Sequence, residues 1–272
     1  MFKPTVEQVA DFIAEGFEQG RSYGSLNTDR AAISLISLNK IGNEELLSRT
    51  LRGCFRLKPV FPKYNYTWNV DTVLDYLQNL GDSETLCFKN LTFKMVTLLA
   101  LATAQRAQTL SLIKLDNIID NGNQIQIKID DIIKTSRIGG DQPVLVLPKF
   151  TEKPKLCVYS CLKLYIQRSQ DLREEKSYLF IELKNPHKVV KSNTISRWIK
   201  TTLSKAGINT SVYTAHSTRS ASTSKASSKG IDFDIIRKSA SWSLKSQVFA
   251  KFYNRKIETN NSEFALAVLR NN

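Results

Sequence analysis

Six side chains in this sequence have types and spacings that chemistry could use, and four of them fall in one stretch, Tyr213 to Ile257. It contains A-H-S-T-R-S-A-S-T-S-K-A, which places His216 and Arg219 three residues apart, then Trp242, then Tyr253 in F-A-K-F-Y-N-R-K. Positions i and i+3 share a helix face, so an imidazole and a planar guanidinium fork could meet one ligand there, and that pairing suits a phosphate. The small residues Ser217, Thr218, Ser220, Ala221, Ser222 and Thr223 would let a bulky anion approach the backbone and could donate hydrogen bonds to it. A phenol has a pKa of about 10, so Tyr253 becomes a nucleophile only where cations favour its phenolate. Lys251, Arg255 and Lys256 are its neighbours in sequence.

Two further cations lie upstream. Arg106 ends the apolar run L-L-A-L-A-T-A-Q-R, where a guanidinium needs a carboxylate or phosphate if it is buried. Lys134, in I-I-K-T-S-R-I-G-G, sits where a strand leaves for a Gly-rich turn. Five of the six also have an ordinary reading. Arg106 fits a snorkelling side chain or an internal ion pair, and Lys134 a solvated hairpin lysine. Trp242 fits a core anchor whose indole N–H seeks a partner, His216 a structural histidine, and Tyr253 one packing tyrosine among nine.

The elements that must position these groups follow from periodicity. Val6, Val9, Phe12, Ile13 and Phe17 keep a helical period, Ser22 to Thr28 reads as a turn and cap before a helix over Arg30 to Leu38, and another helix runs from Asn43 through Leu51. The segment from Leu57 to Val70, with two prolines and four aromatics, reads as an extended linker. Asp71 caps a short helix to Leu80, Gly81-Asp82-Ser83 breaks it, and Glu84 to Gln105 forms a long apolar helix at the centre of a second domain. From Leu115 to Leu147 the period becomes two, with turns at Gly122 and Gly139-Gly140, which predicts a three-stranded antiparallel sheet. Helices follow at Val158 to Ser169, Asn193 to Ala206, Ser217 to Lys229, Asp232 to Ala240, Leu244 to Arg255 and Asn261 to Leu269. The fold class is α+β and mainly helical, with a small helical domain at 1–65 and a larger domain at 66–272 carrying the sheet.

Composition narrows the partner. With 42% hydrophobic residues the chain is globular, and a formal charge of +14 points to a polyanion, nucleic acid ahead of a membrane surface. From His187 to Lys256 there are 14 Lys or Arg against two Asp, net +12, so nearly the whole excess surrounds the His/Arg/Tyr stretch like a footprint. Lys188, Lys191, Arg197, Lys200, Lys225, Lys229, Lys245 and Arg255 are its candidate DNA-binding residues. Cys54, Cys87, Cys157 and Cys161 give no disulfide framework and read as reduced thiols; zinc at the C-x3-C pair lacks a second pair of ligands. No leader is visible at the start, and the apolar run Met95 to Gln105 is too short for a bilayer.

Taken in order, Arg106, Lys134, His216, Arg219, Trp242 and Tyr253 resemble the active site of the tyrosine recombinase (phage integrase) family: Arg, a hairpin Lys, His-x-x-Arg, His or Trp, then Tyr. The match is similar above all to the eukaryotic Crypton and DIRS-like mobile-element members. It rests on T-W-N-V-D-T-V-L-D-Y-L, A-T-A-Q-R-A-Q-T-L, I-K-T-S, T-I-S-R-W-I-K-T-T-L-S-K-A-G-I and the motifs quoted above. It covers residues 66 to 257 strongly and 1 to 60 weakly, as a core-binding helical domain. Two departures stand out: Ala107-Gln108 follows the first arginine where phage members often place a supporting carboxylate, and the Trp242 to Tyr253 gap is longer than the usual His-to-Tyr gap of phage enzymes.

The resemblance implies a Tyr253 attack on a DNA phosphodiester, giving a 3′-phosphotyrosyl link that a 5′-hydroxyl reverses, with no metal or other cofactor. It implies Arg106 and Arg219 on the phosphate oxygens, Lys134 as general acid, His216 assisting proton transfer and Trp242 donating to the phosphate. It further implies two basic domains clamping double-stranded DNA, a dimer on one site and a tetramer in the synapse built by exchange of the 261–272 tail, and a nuclear location in a eukaryotic host. A domesticated DNA-binding protein without cleavage and a type IB topoisomerase are the competing expectations.

Overall fold

The computed structural model describes residues 2–59, 66–173 and 177–242, together with the backbone of 256–257. The chain forms two compact units, Met1–Lys63 and Tyr64–Asn272.

In the first unit α1 (Val6–Glu18), α2 (Tyr23–Ile36) and α3 (Glu45–Leu57) close over Val9, Ile13, Leu26, Ile41, Leu47, Leu51 and Cys54. A capping box starts α1: the Thr5 hydroxyl accepts from the Gln8 N–H while the Gln8 side chain accepts from the Thr5 N–H. Phe12, expected on the apolar face, is 44% exposed, because the buried stripe runs through Val9, Ala10, Ile13 and Gly16. The expected turn over Ser22 to Thr28 is instead the cap and first turns of α2. Ser22 accepts from the Ser25 N–H, and Thr28 returns its hydroxyl to the Gly24 carbonyl, so residues that favour turns are absorbed by capping.

The second unit is built around α5 (Phe88–Thr103), in which every residue from Leu91 to Leu101 is buried. A helix that is apolar all round must be enclosed, and α5 is surrounded by α7 (Val158–Ser169), α8 (Ser192–Lys205), α9 (Ser217–Ser228) and a sheet strand. It starts at Phe88 rather than Glu84 because Ser83–Thr85 forms a 3₁₀ turn and Cys87 takes the N-cap. The short α4 (Val70–Asn79) is capped by Asn69, not Asp71: its side chain accepts from the Asp71 N–H.

Strands β2 (Ile118–Asp120), β3 (Gln124–Lys128) and β4 (Val144–Pro148) form the expected antiparallel sheet in that order. Its register pairs Ile125 with Leu147 and Ile127 with Leu145, and these four bury one face while the alternating residues look outward. A second, two-stranded parallel sheet was not expected. β1 (Tyr66–Thr67), inside the segment read as linker, pairs with β5 (Lys256–Ile257), Tyr66 opposite Lys256 and Thr67 opposite Ile257. Between them the described chain also forms α6 (Ala107–Ser111) and α10 (Phe233–Ser239). The helices expected over 244–255 and 261–269 lie outside the described residues. Among the described residues no helix is long and apolar enough to cross a membrane.

Candidate active site

The site begins where α5 ends. Thr103 returns its hydroxyl to the Leu99 carbonyl, Ala104 turns into the left-handed region at φ 49°, and Arg106 takes the extended N-cap position of α6. The chain therefore makes a sharp corner at Ala104-Gln105-Arg106, and the buried Ala104 carbonyl, freed from the helix, needs a donor.

Arg219 supplies it. Sitting in the first turn of α9 and fully buried at 0% exposure, its Nη1 donates to the Ala104 carbonyl at 2.6 Å and its Nη2 to the Ala240 carbonyl at 3.0 Å. The Trp242 ring lies on the guanidinium, 4.5 Å from Cζ to the ring centroid. Trp242 is 9% exposed and packs with Ala104, Ile236 and Ala240. Residues from two distant parts of the chain, at 104 and at 240–242, are thus fixed around one planar cation.

His216 is the N-cap of α9. Its imidazole keeps an exposed surface, yet surrounding protein removes part of its hydration, and this, followed by the positive charges of Arg219, Arg106 and Lys134, pushes its pKa down to about 4. Arg219, Arg106 and Lys134 each lie near enough for their charge to act on the imidazole. It is neutral at pH 7.

Lys134 is exposed and lies in a turn inside the long β3–β4 connection, residues 129–143, rather than at the strand end. The Ser136 N–H donates to the Ile133 carbonyl at 2.9 Å, and the Ile133 N–H to the Ser136 hydroxyl at 2.9 Å, closing that turn.

Tyr253, Lys245 and Arg255 lie outside the described residues. Of the remaining basic candidates, Lys188, Lys191, Arg197, Lys200 and Lys229 are exposed. Lys225 is half-buried and ion-paired with Asp71, and both it and Lys229 border an apolar cavity of about 440 Å³ walled by Leu74, Leu98, Leu101 and Phe150. Its charge is therefore already engaged.

The hydroxyls of α9 behave differently from the expectation of anion donors. Ser217, Thr218, Ser220 and Thr223 are buried and donate to the carbonyls of Thr214, Ala215, Ser217 and Arg219. Side chains this small let α9 lie close to α5, and their own backbone satisfies them. Ser217 Oγ also accepts from the Trp68 indole N–H at 2.8 Å, which ties the residue next to His216 to the segment following β1.

Sequence reasoning missed two amides. Gln105 is buried and its Nε2 donates to the Ser239 carbonyl at 2.7 Å and the Ser241 hydroxyl at 2.8 Å, joining the α5 corner to the residues just before Trp242. Gln108 accepts from the Lys134 main-chain N–H at 3.3 Å. The available signal was the pair of glutamines bracketing the arginine in A-Q-R-A-Q. Among the described residues no three His, Cys, Asp or Glu side chains gather as a metal site would require.

The architecture that holds these groups is found in proteins of known structure. The Tn1549 transposon integrase in complex with circular intermediate DNA superposes with a TM-score of 0.60 at 13% identity, over 98% of this chain and 85% of that one. The XerH recombinase bound to a palindromic difH substrate gives 0.58 at 13%, over 96% and 72%. A lambda integrase dimer bound to a core site gives 0.54 at 15%, over 92% of this chain; the chain spans 64% of that longer protein. Among curated protein sequences none matches. The sequence model of the phage integrase family, however, matches residues 69–259, a span that takes in the α5 corner, the Lys134 turn, all of α9 and Tyr253. On that match, and with the fold and the clustered cations in agreement with it, the chain belongs to the phage integrase family.

Proposed function

We propose that this protein cleaves and rejoins duplex DNA through a tyrosyl phosphate, as a site-specific recombinase. The observation that carries the reading is the gathering of Arg106, Lys134 and Arg219 around a neutral His216, with Trp242 stacked on Arg219. Tyr253 is the proposed nucleophile. The chain returns to the described part at Lys256, three residues later, and pairs there with Tyr66, two residues before the Trp68 that donates to Ser217.

In the proposed step the phenolic oxygen of Tyr253 attacks phosphorus and the bond from phosphorus to the 5′-oxygen breaks. The phenol proton passes to His216, which is neutral and able to accept it, and the departing 5′-oxygen takes a proton from Lys134. Arg106 and Arg219 stabilise charge on the phosphorane oxygens. An entering phosphodiester opposes the cations that depress His216, so its proton affinity rises as substrate binds. A 5′-hydroxyl then reverses each transfer. Because the ester bond energy is retained in the phosphotyrosine, the reaction as proposed needs neither ATP nor a metal.

Residues 1–65 supply a second DNA-holding unit in this reading, and exposed Lys188, Lys191, Arg197, Lys200 and Lys229, together with Lys245 and Arg255, contact phosphates, so binding falls steeply with salt. The 261–272 tail docks on a neighbouring protomer, forming a dimer on one site and a tetramer in the synapse. The motif spellings favour a Crypton- or DIRS-like mobile element acting in a eukaryotic nucleus.

The test is covalent trapping. A nicked suicide duplex incubated with the full chain yields a protein–DNA adduct that Tyr253→Phe abolishes. A chain that binds the duplex yet forms no adduct under any condition is a DNA-binding protein only, and relaxation of supercoils by a monomer points to a topoisomerase.

A further inference from the structure

Ala107-Gln108 stands after Arg106 where a supporting carboxylate was expected, and the structure shows Gln108 turned to another use. It occupies the first turn of α6, two residues from Arg106, and is exposed. Its Oε1 accepts from the main-chain N–H of Lys134 at 3.3 Å. The turn it grips is otherwise held by its own residues and by the loop around it. Ile133, 4% exposed, plugs the core; Ser136 and Gln142 bond across the loop; and at its base Lys114 pairs with Asp130 at 3.1 Å and Asp131 at 3.2 Å. Among the described residues, Gln108 alone hydrogen-bonds Lys134 itself to the helix whose N-cap is Arg106.

We propose that Gln108 is a positioning residue for Lys134, setting the height of the amine over the phosphate site relative to Arg106 and His216. The inference rests on the proposed role of Lys134 as general acid. A general acid must come within hydrogen-bond reach of the leaving oxygen, and lysine carries its charge on a flexible four-carbon stem. With the side chain exposed, the main chain at residue 134 is what can be fixed in advance. Gln108 fixes it from the same short helix that presents Arg106, so the acid and the phosphate clamp move together.

The experiment compares single-turnover cleavage of two suicide duplexes, one with the normal 5′-oxygen at the scissile bond and one with a bridging 5′-sulfur. A thiolate leaves without a proton, its conjugate acid having a pKa of about 8.5, so the sulfur substrate is blind to the general acid. Gln108→Ala should cleave the oxygen substrate about three- to tenfold more slowly, the size of one hydrogen bond, and the sulfur substrate at the wild-type rate. Gln108→Glu, which keeps an acceptor, should restore the oxygen rate. Adding Gln108→Ala to Lys134→Ala should slow the reaction no further, since both act through one group. Equal slowing of both substrates, or of neither, overturns the inference while leaving the recombinase reading intact. Wild-type protein that forms no adduct with either duplex overturns both.

Discussion

Replacing Arg219 by lysine separates the fork from the charge. In the native chain one guanidinium donates to two carbonyls on different elements, Ala104 at 2.6 Å and Ala240 at 3.0 Å, while Trp242 covers its face at 4.5 Å. A lysine amine has no planar pair of donors and reaches one of those carbonyls at most. The other is left buried without its charged donor, at about 1.5–3 kcal/mol. Loss of the stacked arrangement on Trp242 adds about 1–2 kcal/mol in so desolvated a place. The expected destabilisation is therefore about 2–5 kcal/mol. For a unit of this size each kcal/mol lowers the midpoint by about 2–4 °C, so Arg219→Lys should melt roughly 4–20 °C below wild type. Net charge is unchanged, so the salt dependence of DNA binding should be nearly unaltered. Thermal melting of the full chain, followed by circular dichroism, and a salt titration of DNA binding read the two effects separately. A wild-type melting point for Arg219→Lys would refute the argument that the bidentate fork holds the corner together.

The His216 titration gives a second prediction. Its folded pKa is depressed below the ordinary 6.5 to about 4, so the unfolded chain binds the proton more readily, and the neutral form's contribution to stability is complete above about 6.5 and lost as pH falls toward about 4. Proton NMR of the chain, which has two histidines, with His187→Gln to assign them, should show His216 titrating well below pH 6 and shifting upward when a short duplex is added; an ordinary midpoint without duplex contradicts the convergence of cations. The third prediction concerns Trp68 and Ser217, whose buried 2.8 Å hydrogen bond fastens α9 to the segment after β1. Trp68→Phe should lose about 1–3 kcal/mol, and a double-mutant cycle with Ser217→Ala should return a coupling of about 0.5–1.5 kcal/mol; zero coupling in urea titrations would show that packing alone is at work.

Where local periodicity was strong, the elements could be read directly. The three-stranded sheet followed from alternating Ile125, Ile127, Leu145 and Leu147, and α7 from an apolar face spanning the same residues in sequence and structure. Where the deciding partner is remote, nothing local announces it. β1 is two residues long and exists because Lys256 and Ile257 arrive beside it; Tyr66 and Thr67 alone read as linker. The order of the six candidate residues was legible because the resemblance rests on residue type and order alone. The use of the α9 hydroxyls was not, since Ser and Thr serve an anion and their own helix equally well and only burial decides. Lys225 has the charge of a phosphate ligand, and only the fold brings Asp71, far upstream in sequence, beside it.

The same remoteness explains why the corner at Ala104 matters. Its left-handed turn ends α5, directs one carbonyl to Arg219 and starts the extended Gln105-Arg106 step. Gln105 and Arg219 each bridge from this corner to the end of α10, through Ser239, Ala240 and Ser241, so two buried side chains brace the same gap. Fold stability and site geometry there are carried by one set of contacts, and substitutions of Gln105 or Arg219 should lower melting point and cleavage together. Lys134 and Gln108 lie on the exposed rim and brace nothing in the core, so their substitutions should lower cleavage with the melting point unchanged. That division follows from burial alone. A Gln105→Ala chain that melts normally yet cleaves poorly would show that the corner serves chemistry without supporting the fold, and the coupling of stability to site geometry would then be wrong.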